Sequence, residues 1–158
     1  ISIRLVGSEM CIRDSSYCIE KQLKPEARKD VIKLLDELEV IPTSMIDISD
    51  GLSSEILHLS KSSNVGFHLF EEKIPIDPHV NLICEEFKFN PTIAALNGGE
   101  DYELLFTISQ NDFDKIKDHP FLTVIGHACD KKTGCQMITG LGRQIELTAQ
   151  GWQSFSKI

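Results

Sequence analysis

Two short runs of acidic residues, each beside glycine, are the parts of this 158-residue sequence best suited to chemistry. In the first run, Asp47 and Asp50 lie three positions apart, with Ser49 between them and Gly51 after them. An apolar strand candidate precedes the run and an amphipathic helix candidate follows it, so both carboxylates are expected near a strand-to-helix turn. Carboxylate oxygens suit hard divalent cations, and the first N–H groups of a helix suit an anion. The run therefore indicates magnesium and phosphate chemistry.

The second run spans residues 98–104 and reads Gly-Gly-Glu-Asp-Tyr-Glu-Leu. Its acids Glu100, Asp101 and Glu103 crowd the start of an apolar strand candidate. Like charges at this spacing repel each other unless a cation, a hydrogen-bond donor or solvent compensates. The structural alternative is a turn at residues 97–99 after a helix, with Glu100 as a solvated loop acid.

A helix cap is the structural alternative for the first run. Asp50 precedes the start of the predicted helix, where a capping side chain contributes about 1 kcal/mol. A cap explains only one of the two acids. Asp47 lies at the end of an apolar strand, where an unpaired carboxylate is costly unless it meets a cation or donors. A divalent cation would remove that cost.

Helical and strand periods alternate along the chain, which predicts an α/β or α+β layered fold, a mixed β-sheet with helices packed on it. A helix beginning near Pro25 is predicted by an apolar stripe. The stripe consists of Ala27, Val31, Leu34, Leu35 and Leu38. Strands are predicted at residues 44–48, 65–70, 103–108, 122–127, 136–139 and 144–147, and further helices at 52–60, 79–87, 91–96, 111–118 and from 149 onward. Glycine-containing turns between the last strands indicate that part of the sheet is antiparallel.

Composition excludes several classes of function. The chain has 24 acidic and 16 basic residues, a net charge of -8, and no Lys/Arg cluster, which argues against nucleic acid or an anionic membrane as partner. It has no C-x-x-C spacing, and its five histidines are scattered singly, which argues against a zinc site. No apolar run approaches the roughly 20 residues that span a bilayer. We therefore expect a cytoplasmic protein with reduced thiols.

The first fifteen residues are expected to be unrelated to the fold. Residues 5–15 match what a transposase sequencing adapter, ending in its mosaic end, encodes in one reading frame. This pattern predicts a non-native adapter-derived tail at residues 1–15 and a domain at residues 16–158. A genuine flexible tail is the alternative.

Together, the two acidic runs resemble the carboxy-terminal domain of thiamine-monophosphate kinases, in the superfamily that includes aminoimidazole ribonucleotide synthetase and selenophosphate synthetase. The motifs that carry the resemblance are Asp-x-Ser-Asp-Gly-Leu and Gly-Gly-Glu-Asp-Tyr-Glu-Leu. The resemblance implies the fold of that domain and an enzyme that transfers the γ-phosphoryl group of ATP to thiamine monophosphate, giving thiamine diphosphate and ADP. The family's amino-terminal domain, with most of its magnesium ligands, has no counterpart here, so the chain alone is expected to be inactive.

The resemblance also assigns roles to single residues. It implies that Asp47 and Asp50 bind Mg²⁺, that Ser49 contacts ATP, and that Glu100 contacts the thiamine phosphate. It makes Trp152 the counterpart of a substrate-contacting aromatic residue, whereas packing of the last helix onto the core is the structural alternative. No general base is expected, because the acceptor phosphate is already an anion. The implied partners are ATP, thiamine monophosphate, the missing amino-terminal domain and a second copy in a homodimer.

Two other functions stay open on the sequence. A synthetase or ligase of the same superfamily, acting on a purine intermediate or on selenide, would use the same domain, although the Gly-Gly-Glu-Asp-Tyr-Glu run argues against it. The other is a non-catalytic module for nucleotide binding, metal binding or assembly.

Overall fold

The computed structural model describes residues 19–20 and 23–149, and helices and strands alternate along them. The elements are α1 (Lys29–Glu37), β1 (Ser44–Asp47), α2 (Leu52–Ser63), β2 (Gly66–Phe70), α3 (Pro78–Glu86), α4 (Pro91–Asn97), β3 (Leu104–Thr107), α5 (Phe113–Ile116), β4 (Gly126–Cys129), β5 (Cys135–Ile138) and β6 (Gln144–Glu146). Short 3-10 turns occupy Glu71–Lys73, Gln110–Asp112 and Lys131–Thr133. Within these described ranges, no helix has the length and apolar character needed to cross a membrane.

The strands form two sheets. Strands β1 and β3 pair antiparallel in a two-stranded sheet, with Asp47 opposite Leu104. The other sheet has the order β4-β2-β5-β6, in which β2 runs parallel to β5 and antiparallel to β4, and β6 runs antiparallel to β5. The predicted layered fold, with a mixed and partly antiparallel sheet, is confirmed. The sequence did not predict that β1 and β3 form a separate two-stranded sheet.

Two apolar clusters hold the layers together, and the β1–β3 sheet lies between them. The larger cluster packs α2 and α4 against β2 and β5, and the smaller one is built around α1 and α5. Side chains alternate along β1, so that Met45 packs against the smaller cluster and Ile46 against the larger. Both faces of β1 are therefore half-buried, one against each cluster. β1 ends at the exposed Asp47, where its acidic loop begins.

Helix α1 begins later than the sequence pattern predicts. Its first residue is Lys29 instead of a residue near Pro25, and Ala27 is exposed and so lies outside the buried stripe. The side chain of Arg28 forms an ion pair with Glu103, and the ψ of Arg28 is 56°, which is not helical. Arg28 thus has a non-helical backbone and contacts Glu103, and α1 begins only after it.

The fourth strand is also displaced from its predicted position. It spans Gly126–Cys129 instead of residues 122–127. Leu122 is buried in the smaller cluster and Val124 packs against it, so this segment belongs to that core before pairing with β2 begins. The helix predicted from residue 149 onward lies outside the described residues except for residue 149 itself, which is not helical.

Candidate functional site

The two acidic runs form two loops at the same edge of the β1–β3 sheet. The first loop, residues 48–51, connects β1 to α2, and the second loop, residues 98–103, connects α4 to β3. Because β1 and β3 are antiparallel, the end of one strand lies beside the start of the other. The structure thereby brings together four of the predicted site residues, which are Asp47, Ser49, Asp50 and Glu100. The fifth, Trp152, lies outside the described residues.

Backbone hydrogen bonds join the two loops directly. The N–H of Ile48 donates to the carbonyl oxygen of Glu103 at 2.9 Å, and the N–H of Tyr102 donates to the carbonyl oxygen of Ile48 at 2.8 Å. The N–H of Glu100 donates to the carbonyl oxygen of Ser49 at 2.8 Å. Because three main-chain bonds connect the loops, the relative position of their acids is set by the backbone.

Glycines allow this close approach. A Cβ atom on Gly99 would lie 2.6 Å from the carbonyl oxygen of Ser49, a separation that real Cβ atoms do not show. Gly51 has a φ of 104°, which disfavours L side chains, and its Cβ would lie 2.9 Å from the carbonyl oxygen of Leu96 in α4. Gly51 and Gly99 are therefore required by the contacts between the elements.

Glu100 and Tyr102 form a polar pair in the second loop. Both residues have left-handed backbone conformations, with φ of 66° and 56°, and the Tyr102 hydroxyl donates to Oε2 of Glu100 at 2.8 Å. The pKa of Tyr102 is raised by this hydrogen bond first and then by the charge of Glu100, with smaller increases from burial and from the charges of Asp47 and Asp50. A single phenol therefore senses carboxylates of both loops.

The side chains of Asp47 and Asp50 are exposed. Across the described part of the chain, neither carboxylate has a hydrogen-bond or ion-pair partner. The N-cap of α2 is Gly51, with no side-chain cap bond, so the capping alternative for Asp50 is wrong. The desolvation argument for Asp47 is also wrong, because an exposed carboxylate has no such cost. In the described part of the chain, Asp47 and Asp50 are thus two exposed acids without a hydrogen-bond or ion-pair partner, and they lie beside the N-terminus of α2.

Donors relieve the crowding of acids in the second loop. Arg28 forms an ion pair with Glu103, and Tyr102 serves as the donor to Glu100. The pKa of Arg28 is raised, chiefly by its hydrogen bond to Asp30 and further by the charge of Glu103, while burial acts in the opposite direction. The sequence pattern did not identify Arg28 as the partner, because residues 75 positions apart meet only in the folded chain.

Glu55 is a residue of this site that the sequence pattern missed. It lies in the first turn of α2 and is only 2% exposed. Its Oε1 accepts hydrogen bonds from the backbone N–H of Asp50 at 3.2 Å and from the hydroxyl of Ser49 at 3.4 Å. An acid four residues after a glycine at a helix start is the signal that could have identified it, since glycine has no side chain with which to cap the helix.

The donor set fits part of a magnesium site. No group of three or more His, Cys, Asp or Glu side chains able to hold a metal ion occurs among the described residues. Mg²⁺ in phosphate-handling enzymes is held by one or two carboxylates and completes its shell with waters and substrate phosphates. Asp47 and Asp50 fit that pattern as its two carboxylates.

Comparison with curated proteins finds thiamine-monophosphate kinases. The chain is 33% identical over 137 residues to that of Aquifex aeolicus, covering 87% of this chain and 41% of the relative. It is 35% identical over 133 residues to that of Buchnera aphidicola subsp. Schizaphis graminum, covering 80% of this chain and 39% of the relative. The chain thus spans about two fifths of the length of these curated relatives. No protein-family profile matches the chain.

Comparison with solved structures agrees. The structure of AaThiL complexed with AMPPCP and TMP aligns with a TM-score of 0.72 and 30% identity, covering 96% of this chain and 44% of that one. E. coli HypE, a hydrogenase maturation protein, aligns with a TM-score of 0.60 at 18% identity, which shows a shared fold alone. By sequence and by fold, the chain belongs to the thiamine-monophosphate kinase family.

Proposed function

We propose that this chain is the carboxy-terminal part of a cytoplasmic enzyme that transfers the γ-phosphoryl group of ATP to thiamine monophosphate, giving thiamine diphosphate and ADP. The observation that supports the proposal most directly is the contact between the two acidic loops, in a chain whose relatives are named for this reaction. The related structure named as a complex with AMPPCP, an ATP analogue, also supports a nucleotide substrate.

Asp47 and Asp50 would hold Mg²⁺, and Ser49 between them would contact ATP. When bound, Mg²⁺ supplies positive charge that neutralises the phosphates of donor and acceptor. The rigid pairing of the two loops keeps both acids at a fixed place relative to Glu100, so that nucleotide and acceptor can be positioned in line. The acceptor oxygen already carries negative charge, so none of the residues of this site has to remove a proton from it.

Glu100 and Trp152 would place the acceptor. Glu100 lies in the loop joined to Ser49, and its carboxylate accepts from Tyr102, which holds it in one orientation. An aromatic ring such as Trp152 suits the cationic heterocycle of thiamine. Trp152→Ala should weaken thiamine monophosphate binding by roughly ten-fold and leave the Michaelis constant for ATP unchanged. Equal weakening of both substrates, with a large fall in melting temperature, would instead make Trp152 a structural residue.

The experiment that tests the function compares two proteins. The longer gene product, carrying the region upstream of residue 16, is expected to form thiamine diphosphate from Mg-ATP and thiamine monophosphate. Purified residues 16–158 are expected to form none, because two carboxylates and one serine provide too few ligands for the phosphates of both substrates. Turnover by residues 16–158 would refute the requirement for the upstream region.

An acceptor panel separates the alternatives. A longer gene product that ignores thiamine monophosphate but acts on a purine intermediate or on selenide would be a synthetase of the same superfamily. One that binds nucleotide without turnover of any acceptor would be a binding or assembly module. Both results contradict the proposed kinase.

A further inference from the structure

Glu55 is an ionisable group with very little exposed surface, placed directly behind the first loop. It is 2% exposed, and the larger apolar cluster contains its helix neighbours Leu52, Ile56 and Leu59. A buried carboxylate is costly unless donors compensate. Its donors are the backbone N–H of Asp50 and the hydroxyl of Ser49, which belong to the loop proposed to bind metal and nucleotide.

The position of Glu55 in its helix explains why a charge is tolerated there. The first turn of a helix has unpaired N–H groups and a positive end of the helix dipole, which favours a carboxylate. The cap residue Gly51 offers no side chain to these groups. The carboxylate of Glu55 reaches back along the chain to the N–H of Asp50, the residue before the cap, and so ties the first loop to the helix.

We propose that Glu55 is a positioning residue that fixes the orientation of Ser49 and Asp50, so that the Asp50 carboxylate stays exposed and available to a divalent cation. This inference rests on the proposed function for the role of Asp50, but not for the contact itself. A charge-assisted hydrogen bond to the backbone of Asp50 restricts the conformations of the loop before any ligand binds. Ligand binding then loses less conformational entropy.

The test measures amide hydrogen exchange by NMR on the 158-residue chain. In Glu55→Ala, exchange at the Asp50 amide is expected to rise roughly ten-fold or more over the wild type, because the bond to a charged acceptor is lost. Leu59→Ala is the matched control: Leu59 is in the same helix, is 7% exposed, and contacts neither Ser49 nor Asp50 through a hydrogen bond. Exchange at Asp50 that is no faster in Glu55→Ala than in Leu59→Ala would overturn the proposal.

Two further readouts keep the inference separate from the proposed function. Mn²⁺, a paramagnetic substitute for Mg²⁺, is expected to broaden the amide signals of residues 47–50, and Glu55→Ala should require roughly ten-fold more Mn²⁺ for the same broadening. Absence of broadening in the wild type would refute the metal site, while exchange at Asp50 still decides the role of Glu55. If Glu55→Ala does not fold, Glu55→Leu decides, because it keeps the bulk of the side chain and removes the acceptor. Faster Asp50 exchange supports the contact, and wild-type exchange overturns it.

Discussion

At the scale of single residues, the phenol of Tyr102 reports on the charge of the site. Its hydroxyl donates to Glu100, and the negative charges of Glu100, Asp47 and Asp50 disfavour the tyrosinate and raise its pKa. The chain contains two tyrosines, and the other, Tyr17, precedes the described residues. In an ultraviolet titration, the tyrosinate signal of Tyr102 therefore has to be distinguished from that of Tyr17 alone.

Glu100→Gln should lower the pKa of Tyr102 toward its ordinary value of about 10. The reason is that the substitution removes both the charge-assisted hydrogen bond and the nearest negative charge, and each of them raises the pKa. The tyrosinate absorbance of the variant should appear at lower pH than in the wild type. Tyr102→Phe is the control that identifies the transition. An unchanged titration curve in Glu100→Gln would show that the two side chains are not in contact.

Residue types and spacing predict part of this site. Asp47, Asp50 and Glu100 could be singled out because acids beside glycines at element boundaries form a recognisable sequence pattern. Ser49 is assigned from the family resemblance. Arg28 and Glu55 could not be assigned their partners in this way. The partner of Arg28 is distant in sequence, and the burial of Glu55 depends on how α2 packs. Spacing could have drawn attention to Glu55, but only the contacts made by the fold identify the partners of these two residues.

At the scale of elements, the site depends on a close approach between the first loop and α4. A Cβ atom on Gly51 would lie 2.9 Å from the carbonyl oxygen of Leu96, and Gly51 also has a φ of 104°. Gly142 has a comparable φ of 75°, but nothing lies within 4 Å of its Cβ position. Both glycines have a positive φ, but only the Cβ position of Gly51 is crowded.

Gly51→Ala should therefore destabilise the chain more than Gly142→Ala. A strained backbone conformation costs a non-glycine residue roughly 1–3 kcal/mol, and at Gly51 the φ of 104° and ψ of 150° lie in a region that is essentially restricted to glycine. The clash with Leu96 should add about 1–3 kcal/mol for Gly51→Ala only. Urea denaturation of both variants measures the difference in unfolding free energy. Equal destabilisation would mean that α4 does not approach the first loop as closely as the structure indicates.

Element order could be predicted from periodicity, but the pairing of elements could not. The strand ending at Asp47 and the strand beginning at Leu104 were each predicted, because both are short apolar runs. Their isolation in a two-stranded sheet depends on burial of both faces between the two clusters, which periodicity does not contain. This pairing is what brings the two acidic loops together.

At the scale of the whole molecule, the residues that the structure describes supply two carboxylates to the proposed metal site, Asp47 and Asp50. The chain spans about two fifths of the length of its curated relatives, and the described residues contain no cluster of three metal-ligating side chains. A magnesium site shared with a second region would explain both the exposed acids and the absence of partners for them. The region upstream of residue 16 is the proposed source of the remaining ligands.

The decisive comparison is the rate and magnesium dependence of thiamine diphosphate formation by the longer gene product and by its Asp47→Asn/Asp50→Asn double variant. Asn keeps the size of Asp and removes its charge. We expect the double variant to lose roughly a hundred-fold in rate and to require more Mg²⁺, with its melting temperature close to that of the wild type. Asp36→Asn, at an exposed acid of α1, is the matched control and should change neither property. A double variant with the rate and magnesium dependence of the wild type would contradict the assignment of both acids to the metal and, with it, the proposed phosphoryl-transfer site.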